Sequence, residues 1–231
     1  MQPGRTTRKQ GSAFEPVFPD PTPIVDVEEF TVRIAGVGGT GVVTTSQIIA
    51  TAGTLAGLHV RVLDQLGLAQ KGGAVVSDLK FSSRPIEGAN KLAAGDCDLY
   101  LGCDLLVAAD EKNLAVTSPQ RTVCVISTSQ VPTGSMIVKP STAFPVLADV
   151  RHMLESTSRP NDSVYADART LAYREFGSDQ LANMILVGMA VQAGALPIPV
   201  ESLEKAIDLN GVAVAANLRA IQVGREHVID P

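Results

Sequence analysis

The stretch IAGVGGTGVVT, residues 34–44, places four glycines within six positions and has the residue types of a ligand-binding turn. The four are Gly36, Gly38, Gly39 and Gly41. In such a turn between a strand and a helix, one glycine permits the bend, the next lets a ligand approach the backbone, and the last lets the helix pack on the sheet. The helix N-terminus then offers free N–H groups and partial positive charge to a phosphate. The hydroxyls of Thr40 and Thr44 could add hydrogen-bond donors.

An acid further along the chain extends this pattern towards a dinucleotide site. Asp64 ends the stretch VRVLD, near the place where an NAD or FAD site carries an acid that binds a ribose. The same carboxylate could instead cap the end of a strand. The glycines have an alternative of their own, because they could serve only tight packing of the helix on the strand. The residues alone leave open a phosphate-bearing ligand, a partner chain and pure packing.

The elements around the loop alternate between strand and helix. TVRIAG is a β-branched strand, the segment that follows the glycines has apolar residues at helical spacing, and HVRVLDQ is a second strand. Strand, loop, helix and strand make a βαβ unit, in which the two strands run parallel. Further strands are predicted at AVVSDLKFS, DLYLGCD and RTVCVIST, with GSMIVK as an edge strand.

The last third of the chain, from about residue 164, has the apolar spacing of consecutive helices. The fold class predicted is therefore α/β, with a Rossmann-like, mostly parallel sheet, helices on both faces and a helical C-terminal third. Residues 1–29 are polar and proline-rich and are predicted to form a flexible tail or linker. Residues 30–231 form a single α/β domain in this prediction.

Composition limits the function classes. Hydrophobic residues make up 45% of the chain and aromatic residues 4%, which is typical of an aliphatic core around a buried parallel sheet. The net charge of -5 and the absence of a long basic run argue against nucleic-acid binding. No stretch predicts a signal peptide or a membrane span. The sequence therefore predicts a cytoplasmic protein.

The other residue types with possible chemistry favour structural roles. Three cysteines without a CxxC pair predict small core residues rather than cluster or zinc ligands. Three acids near one strand suggest a metal, but their positions on either side of it favour turn and cap roles. The three histidines are far apart, and two asparagines are expected to satisfy backbone groups at buried bends. These residues are Cys97, Cys103 and Cys124; Asp96, Asp98 and Asp104; His59, His152 and His227; and Asn183 and Asn210.

Three motifs in order resemble one family. GVGGTGVVTTSQIIATA followed by VLDQLGLAQKGGAVVSDLKFS resembles the γ domain of 2-oxoacid:ferredoxin oxidoreductases, in which a basic residue precedes two glycines. Here these residues are Lys71, Gly72 and Gly73. ANMILVGMAVQAGALPI and AIDLNGVAVAANLRAIQVGR resemble the C-terminal helices of the indolepyruvate type. The resemblance covers about residues 31–227.

The resemblance implies a role inside a larger enzyme. Complete enzymes of this family decarboxylate a 2-oxoacid with thiamine diphosphate, pass electrons through iron–sulfur clusters to ferredoxin and form an acyl-CoA. It implies that thiamine diphosphate and the clusters lie on partner subunits or domains, that ferredoxin interacts only indirectly, and that this chain holds no metal or covalent cofactor. It also implies a possible coenzyme A contact at the glycine loop and the Lys71–Gly73 segment. The proline-rich start would then be a linker.

Three hypotheses follow. The first is a γ component of a 2-oxoacid:ferredoxin oxidoreductase, inactive alone, that assembles with thiamine and iron–sulfur subunits and positions coenzyme A. The second is a stand-alone NAD(P)- or FAD-dependent oxidoreductase with Asp64 on the ribose. The third is a non-enzymatic nucleotide-binding or docking module.

Overall fold

A computed structural model describes residues 18–67, 73–132, 136 and 143–231. Within these ranges six strands form one sheet, and helices cover both of its faces. The strands are β1 (Glu29–Val37), β2 (His59–Leu66), β3 (Ala74–Ser82), β4 (Leu99–Gly102), β5 (Val123–Ser127) and β6 (Val164–Ala166). The helices are α1 (Val42–Leu55), α2 (Leu105–Ala108), α3 (Glu111–Leu114), α4 (Leu147–Ser156), α5 (Ala168–Phe176), α6 (Ala182–Gln192), α7 (Val200–Asn210) and α8 (Val214–Ile229).

The strand order is β2-β3-β1-β4-β5-β6. β1, β4, β5 and β6 pair in parallel, whereas β3 lies antiparallel between β1 and β2. The mostly parallel sheet and the parallel direction of β1 and β2 are confirmed. The two strands of the predicted βαβ unit are not neighbours, however, because β3 occupies the position between them. The α1 crossover therefore spans two strand spacings rather than one.

The strand β1 divides the core by its alternation. Phe30, Val32 and Ile34 are buried against the face that α1 and the C-terminal helices cover. Ala35 belongs to the second cluster, on the face that α2, α3 and α4 cover. This alternation along one strand places helices on both faces of the sheet, as the sequence predicts.

The C-terminal helices pack unusually closely. In α6 every residue from Ala182 to Val191 is buried, which explains why this helix is apolar all round. A Cβ at Gly188 would lie 2.2 Å from the carbonyl oxygen of Ile221 in α8, and one at Gly224 would lie 2.0 Å from that of Ile185 in α6. The two helices therefore meet backbone against backbone, and each contact requires a glycine.

Two regions differ from the sequence prediction or go beyond it. The helical pattern predicted from about residue 164 begins with a three-residue strand, β6, and α5 starts only at Ala168. α4 lies in a region where the sequence pattern predicts no element. The predicted edge strand GSMIVK lies outside the described residues except for Met136, which is helical.

The described part of the proline-rich segment is held against the domain. Ile24 N–H donates to the carbonyl oxygen of Gly194 at 3.0 Å, and Gln192 Nε2 donates to that of Pro19 at 3.1 Å. The guanidinium of Arg225 lies 4.3 Å from the ring centroid of Phe18. These contacts fix residues 18–24 across the ends of α6 and α8. The predicted boundary between a linker at 1–29 and a domain at 30–231 stays a prediction.

Candidate functional site

A cleft of about 440 Å³ opens at the carboxyl ends of β1 and β4. Parallel α/β sheets bind ligands at this edge, because loops from several strands and the N-termini of helices converge there. The cleft is lined by the glycine loop, the start of α2, the segment after β5 and the starts of α5 and α6. Its lining residues are Val37, Gly39, Thr40, Gly41, Cys103, Asp104, Val131, Arg169, Asp179, Gln180, Ala182 and Asn183.

Two of the loop glycines serve packing. A Cβ at Gly36 would lie 2.6 Å from Val42 Cγ2 and 3.0 Å from Cys103 Cβ, so only glycine lets α1 and the end of β4 approach here. Gly38 N–H donates to the carbonyl oxygen of Gly73 at 2.8 Å. The glycine loop and the KGG segment, which the family resemblance relates to one ligand, thus meet at Gly73. Lys71 and Gly72 lie outside the described residues.

The other two glycines face the cleft. Gly39 and Gly41 have φ angles of 87° and 89°, which side chains of L residues rarely adopt. Nothing lies within 4 Å of a Cβ at Gly39, so its backbone is open to a ligand. Between them, Thr40 Oγ1 donates to the carbonyl oxygen of Val37 at 2.7 Å. The hydroxyl predicted to donate to a ligand therefore stabilises the turn itself.

The N-terminus of α1 adjoins these glycines. Its cap residue is Gly41, no side chain caps the helix, and no acid lies in the first turn. The first N–H groups of a helix have no intrahelical partner and carry partial positive charge. This end of α1 therefore keeps its capacity to bind an anion.

A side chain of α6 holds the loop in place. Asn183 is 7% exposed, and its Nδ2 donates to the carbonyl oxygen of Thr40 at 2.9 Å. This is the structural role predicted for Asn183. Asn210 differs, because it is the half-buried last residue of α7.

Three charged side chains of the described part of the chain line the cleft. Asp104 caps α2, and its carboxylate accepts hydrogen bonds from the N–H groups of Leu106 and Val107, both at 3.0 Å. The cap role predicted for Asp104 is confirmed. Arg169, at the start of α5, forms an ion pair with Asp179, which precedes α6. No motif marked Arg169 or Asp179 in the sequence, since they come together only where the two helix starts meet.

Cys103 packs against the core, as predicted, and also lines this cleft. Cys97 and Cys124 are fully buried, as predicted, whereas Cys103 is half-buried and lines the cleft. Its position directly after β4 explains the difference, since the chain there turns from the sheet towards α2. Burial of its thiol, with a smaller contribution from the Asp104 carboxylate, raises the pKa of Cys103 to about 12.

The remaining acids from the sequence analysis have structural partners. Asp64 lies within β2 and accepts hydrogen bonds from Ser77 Oγ at 2.5 Å and from Ser46 Oγ at 3.4 Å. Through these bonds Asp64 links β2, β3 and α1. Asp98 accepts hydrogen bonds from both Nε and an Nη atom of Arg121, at 2.7 and 2.8 Å. Among the described residues, no cluster of His, Cys, Asp and Glu could hold a metal ion.

None of the helices in the described ranges is long and apolar enough to cross a bilayer.

Comparison with known proteins shows which family this chain resembles. The family model described as pyruvate ferredoxin/flavodoxin oxidoreductase matches residues 31–227. Indolepyruvate oxidoreductase subunit IorB of Archaeoglobus fulgidus is 27% identical over 207 residues, which cover 85% of this chain and 94% of that subunit. The pyruvate/ketoisovalerate oxidoreductases common subunit gamma of Pyrococcus furiosus is 25% identical, over 76% of this chain and 83% of that protein.

Solved structures share the fold. The γ subunit of the keto/oxoacid ferredoxin oxidoreductase of Geobacter sulfurreducens superposes with a TM-score of 0.61 at 19% identity, over 87% of this chain and 99% of that one. The 2-oxoglutarate:ferredoxin oxidoreductase of Magnetococcus marinus, solved with 2-oxoglutarate, coenzyme A and succinyl-CoA bound, matches with a TM-score of 0.58 at 19% identity. That match covers 88% of this chain but 32% of the longer one. With a family model that matches from β1 to the last turns of α8, the chain belongs to the pyruvate ferredoxin/flavodoxin oxidoreductase family.

Proposed function

We propose that this chain is the γ component of a 2-oxoacid:ferredoxin oxidoreductase of the indolepyruvate type. The observation that carries the proposal is the match to indolepyruvate oxidoreductase subunits from several archaea, which extends over 84–86% of this chain and 94–95% of each relative. Such coverage fits a subunit of the same size and role. The chain would act with subunits that carry the thiamine diphosphate and the iron–sulfur clusters.

Within that enzyme, the cleft at the glycine loop is our candidate contact for coenzyme A, the acyl acceptor of the reaction. The open backbone at Gly39, the uncapped N-terminus of α1 at Gly41 and the Arg169 guanidinium fit the phosphate groups of this substrate. The Asp104 carboxylate opposes an anion less than a free acid would, because it is hydrogen-bonded to two backbone N–H groups. Asp179 is paired with Arg169.

The contribution of this chain would be binding and orientation. Coenzyme A supplies the thiol that accepts the acyl group. The glycine loop would hold its phosphate groups at backbone N–H groups, while Asn183 fixes the loop through the carbonyl of Thr40. A fixed set of N–H donors needs no reorganisation when an anion arrives, which is the general advantage of preorganised binding.

The stand-alone dinucleotide hypothesis finds less support. In the dinucleotide fold the ribose acid ends a strand adjacent to the first, and here β3 separates β1 from β2. Asp64 also lies inside β2, where its carboxylate accepts hydrogen bonds from two serine hydroxyls.

Co-purification tests the proposal. The chain, tagged and expressed at its native level in its host, should co-purify with a thiamine- and iron–sulfur-containing protein, or be found inside a longer polypeptide. The complex should oxidise indolepyruvate with ferredoxin in a reaction that depends on coenzyme A. Recovery of the 231-residue chain alone would contradict the proposal.

A further inference from the structure

The cation that lines the cleft among the described residues is already engaged by an acid. Among the described lining residues Arg169 carries the positive side chain, and its guanidinium is paired with the carboxylate of Asp179. Both side chains remain partly open to solvent, with 37% of Arg169 and 25% of Asp179 exposed. Ion pairs at this exposure contribute little to stability, so a competing anion can replace one partner at small cost.

Hydrogen bonds of the backbone hold Arg169 in place independently of its side chain. Asp167 caps α5 by accepting the Thr170 N–H at 3.0 Å, and Ser129 Oγ donates to Asp167 at 2.5 Å. The N–H of Arg169 itself donates to Ser129 Oγ at 3.2 Å. These bonds hold the start of α5 at the rim of the cleft. The long side chain of Arg169 can then reorient about its own torsions without moving the helix.

Phosphate is a better partner for this guanidinium than a single exposed carboxylate. A guanidinium makes paired, charge-assisted hydrogen bonds to phosphate oxygens, and a phosphate offers more acceptor atoms and more charge than an aspartate. The uncapped N-terminus of α1 lines the same cleft and favours the same charge. A phosphate in the cleft therefore has two positive groups to interact with, the Arg169 guanidinium and the N-terminus of α1, whereas the Asp179 carboxylate interacts with Arg169.

We propose that Arg169 is the side chain of the cleft that binds the phosphate of a phosphate-bearing ligand, and that Asp179 holds it until that ligand displaces the carboxylate. The ligand class rests on the proposed function, in which coenzyme A is the substrate. The exchange itself needs only a phosphate-bearing molecule. Asp179 would set the affinity by competing with the ligand for Arg169.

A double-mutant cycle tests the exchange. Binding of coenzyme A, and separately of inorganic pyrophosphate, is measured by calorimetry on the complex of this chain with its partner subunits and on the full chain alone. Arg169→Gln should weaken binding roughly tenfold or more, through loss of a charged hydrogen-bond pair. Asp179→Asn should tighten binding roughly two- to fivefold, because it removes the competitor.

The double variant separates competition from general electrostatics. If Asp179 acts through Arg169, Asp179→Asn has no effect on binding in the Arg169→Gln background. A similar gain in both backgrounds would overturn the exchange. Equal losses in the two single variants would overturn it too, because they would indicate a structural ion pair.

A matched control lies outside the cleft. Glu175→Gln removes a carboxylate from the Arg219–Glu175 ion pair, whose side chains are 36% and 37% exposed. This variant should leave ligand affinity unchanged. If the chain enters no complex, the proposed function is wrong. Pyrophosphate binding by the full chain then still tests whether a phosphate-bearing ligand displaces Asp179 from Arg169. If neither probe binds the wild-type complex or chain, the exchange fails.

Discussion

Single residues in the glycine loop separate packing from ligand access. Gly36 is required because Val42 and Cys103 leave no room for a Cβ, whereas Gly39 has empty space around it and a positive φ. A side chain at Gly36 would disturb the packing of α1, and one at Gly39 would strain the backbone and project towards the cleft. Glycine is thus required for two different physical reasons within four positions: the lack of space at Gly36 and the positive φ at Gly39.

Gly39→Ala should reduce both stability and ligand affinity. The left-handed φ of 87° should lower the free energy of unfolding by about 1–2 kcal/mol when a Cβ is present. Gly57 is a matched control, since it has a φ of 86° and also has nothing within 4 Å of a Cβ, but does not line the cleft. Denaturant unfolding should show similar losses for Gly39→Ala and Gly57→Ala. Equal coenzyme A affinity in the two variants would contradict a role for Gly39 in binding.

Cys103 should react slowly although it reaches the cleft. A pKa of about 12 leaves its thiolate fraction at pH 8 on the order of 10³ below that of an ordinary thiol. Alkylation by iodoacetamide, followed by peptide mass spectrometry, should therefore modify Cys103 far more slowly in the folded protein than in urea. The folded-state rate should rise with pH through the range 8–10. A rate that levels off between pH 8 and 10 would show that the thiol has an ordinary or lowered pKa.

At the scale of elements, Asn183 joins the buried helix α6 to the glycine loop. Its amide spans the junction between two parts of the chain that are 143 residues apart in sequence. A hydrogen bond of a buried side chain therefore contributes to the position of the loop relative to α6.

Asn183→Ala should release this junction. The carbonyl of Thr40 loses its donor in a part-buried site, which should cost about 0.5–1.5 kcal/mol. Asn217→Ala is the control, because Asn217 donates to the Val212 carbonyl at 2.9 Å in an exposed site where water can substitute. Hydrogen exchange at the amides of Gly38 and Thr45, which donate to the carbonyl oxygens of Gly73 and Gly41, should accelerate in Asn183→Ala and not in Asn217→Ala. Unchanged protection in both variants would show that the loop is held by other contacts.

The elements differ in how far the sequence predicts them. The strands AVVSDLKFS and RTVCVIST and the helices α7 and α8 have strong local patterns, so their type and place follow from the residues. β3 pairs antiparallel with β2, which directly precedes it, and with β1, which is separated from it by α1 and β2; no local pattern encodes the pairing with β1. β6 has three residues, too few to show a period.

The sequence predicts part of the candidate site, just as it predicts part of the fold. The glycine loop and Asn183 stand in recognisable motifs. Arg169 and Asp179 do not, because an isolated arginine and an isolated aspartate near helix starts are common on protein surfaces. Their importance appears only when the fold brings the starts of α5 and α6 to the same edge of the sheet as the glycine loop.

At the scale of the whole molecule, a buried ion pair joins the sheet to the segment that covers it. Arg33 in β1 and Asp78 in β3 face each other in the register and make two hydrogen bonds, at 2.7 and 2.8 Å. The Asp78 carboxylate also accepts the Leu92 N–H at 3.2 Å, and Arg33 donates to the Asn113 carbonyl at 3.2 Å. One pair of charges thus links two strands to the loop and the short helix above them.

Removing one partner of this pair should lower the free energy of unfolding far more than replacing both partners. Asp78 is fully buried and Arg33 is 3% exposed, so Asp78→Ala leaves a buried, unpaired cation and should cost about 3–5 kcal/mol in the free energy of unfolding. The double variant Arg33→Met/Asp78→Leu removes both charges and fills the space with apolar atoms. It should be more stable than Asp78→Ala, because the remaining loss is the hydrogen-bonding of the Leu92 N–H and the Asn113 carbonyl. Chemical denaturation measures both values.

The partly exposed Arg121–Asp96 pair is the control, and Asp96→Ala should cost less than about 1 kcal/mol. A double variant that is less stable than Asp78→Ala would mean that the charges themselves, and not only their mutual compensation, hold the covering segment on the sheet.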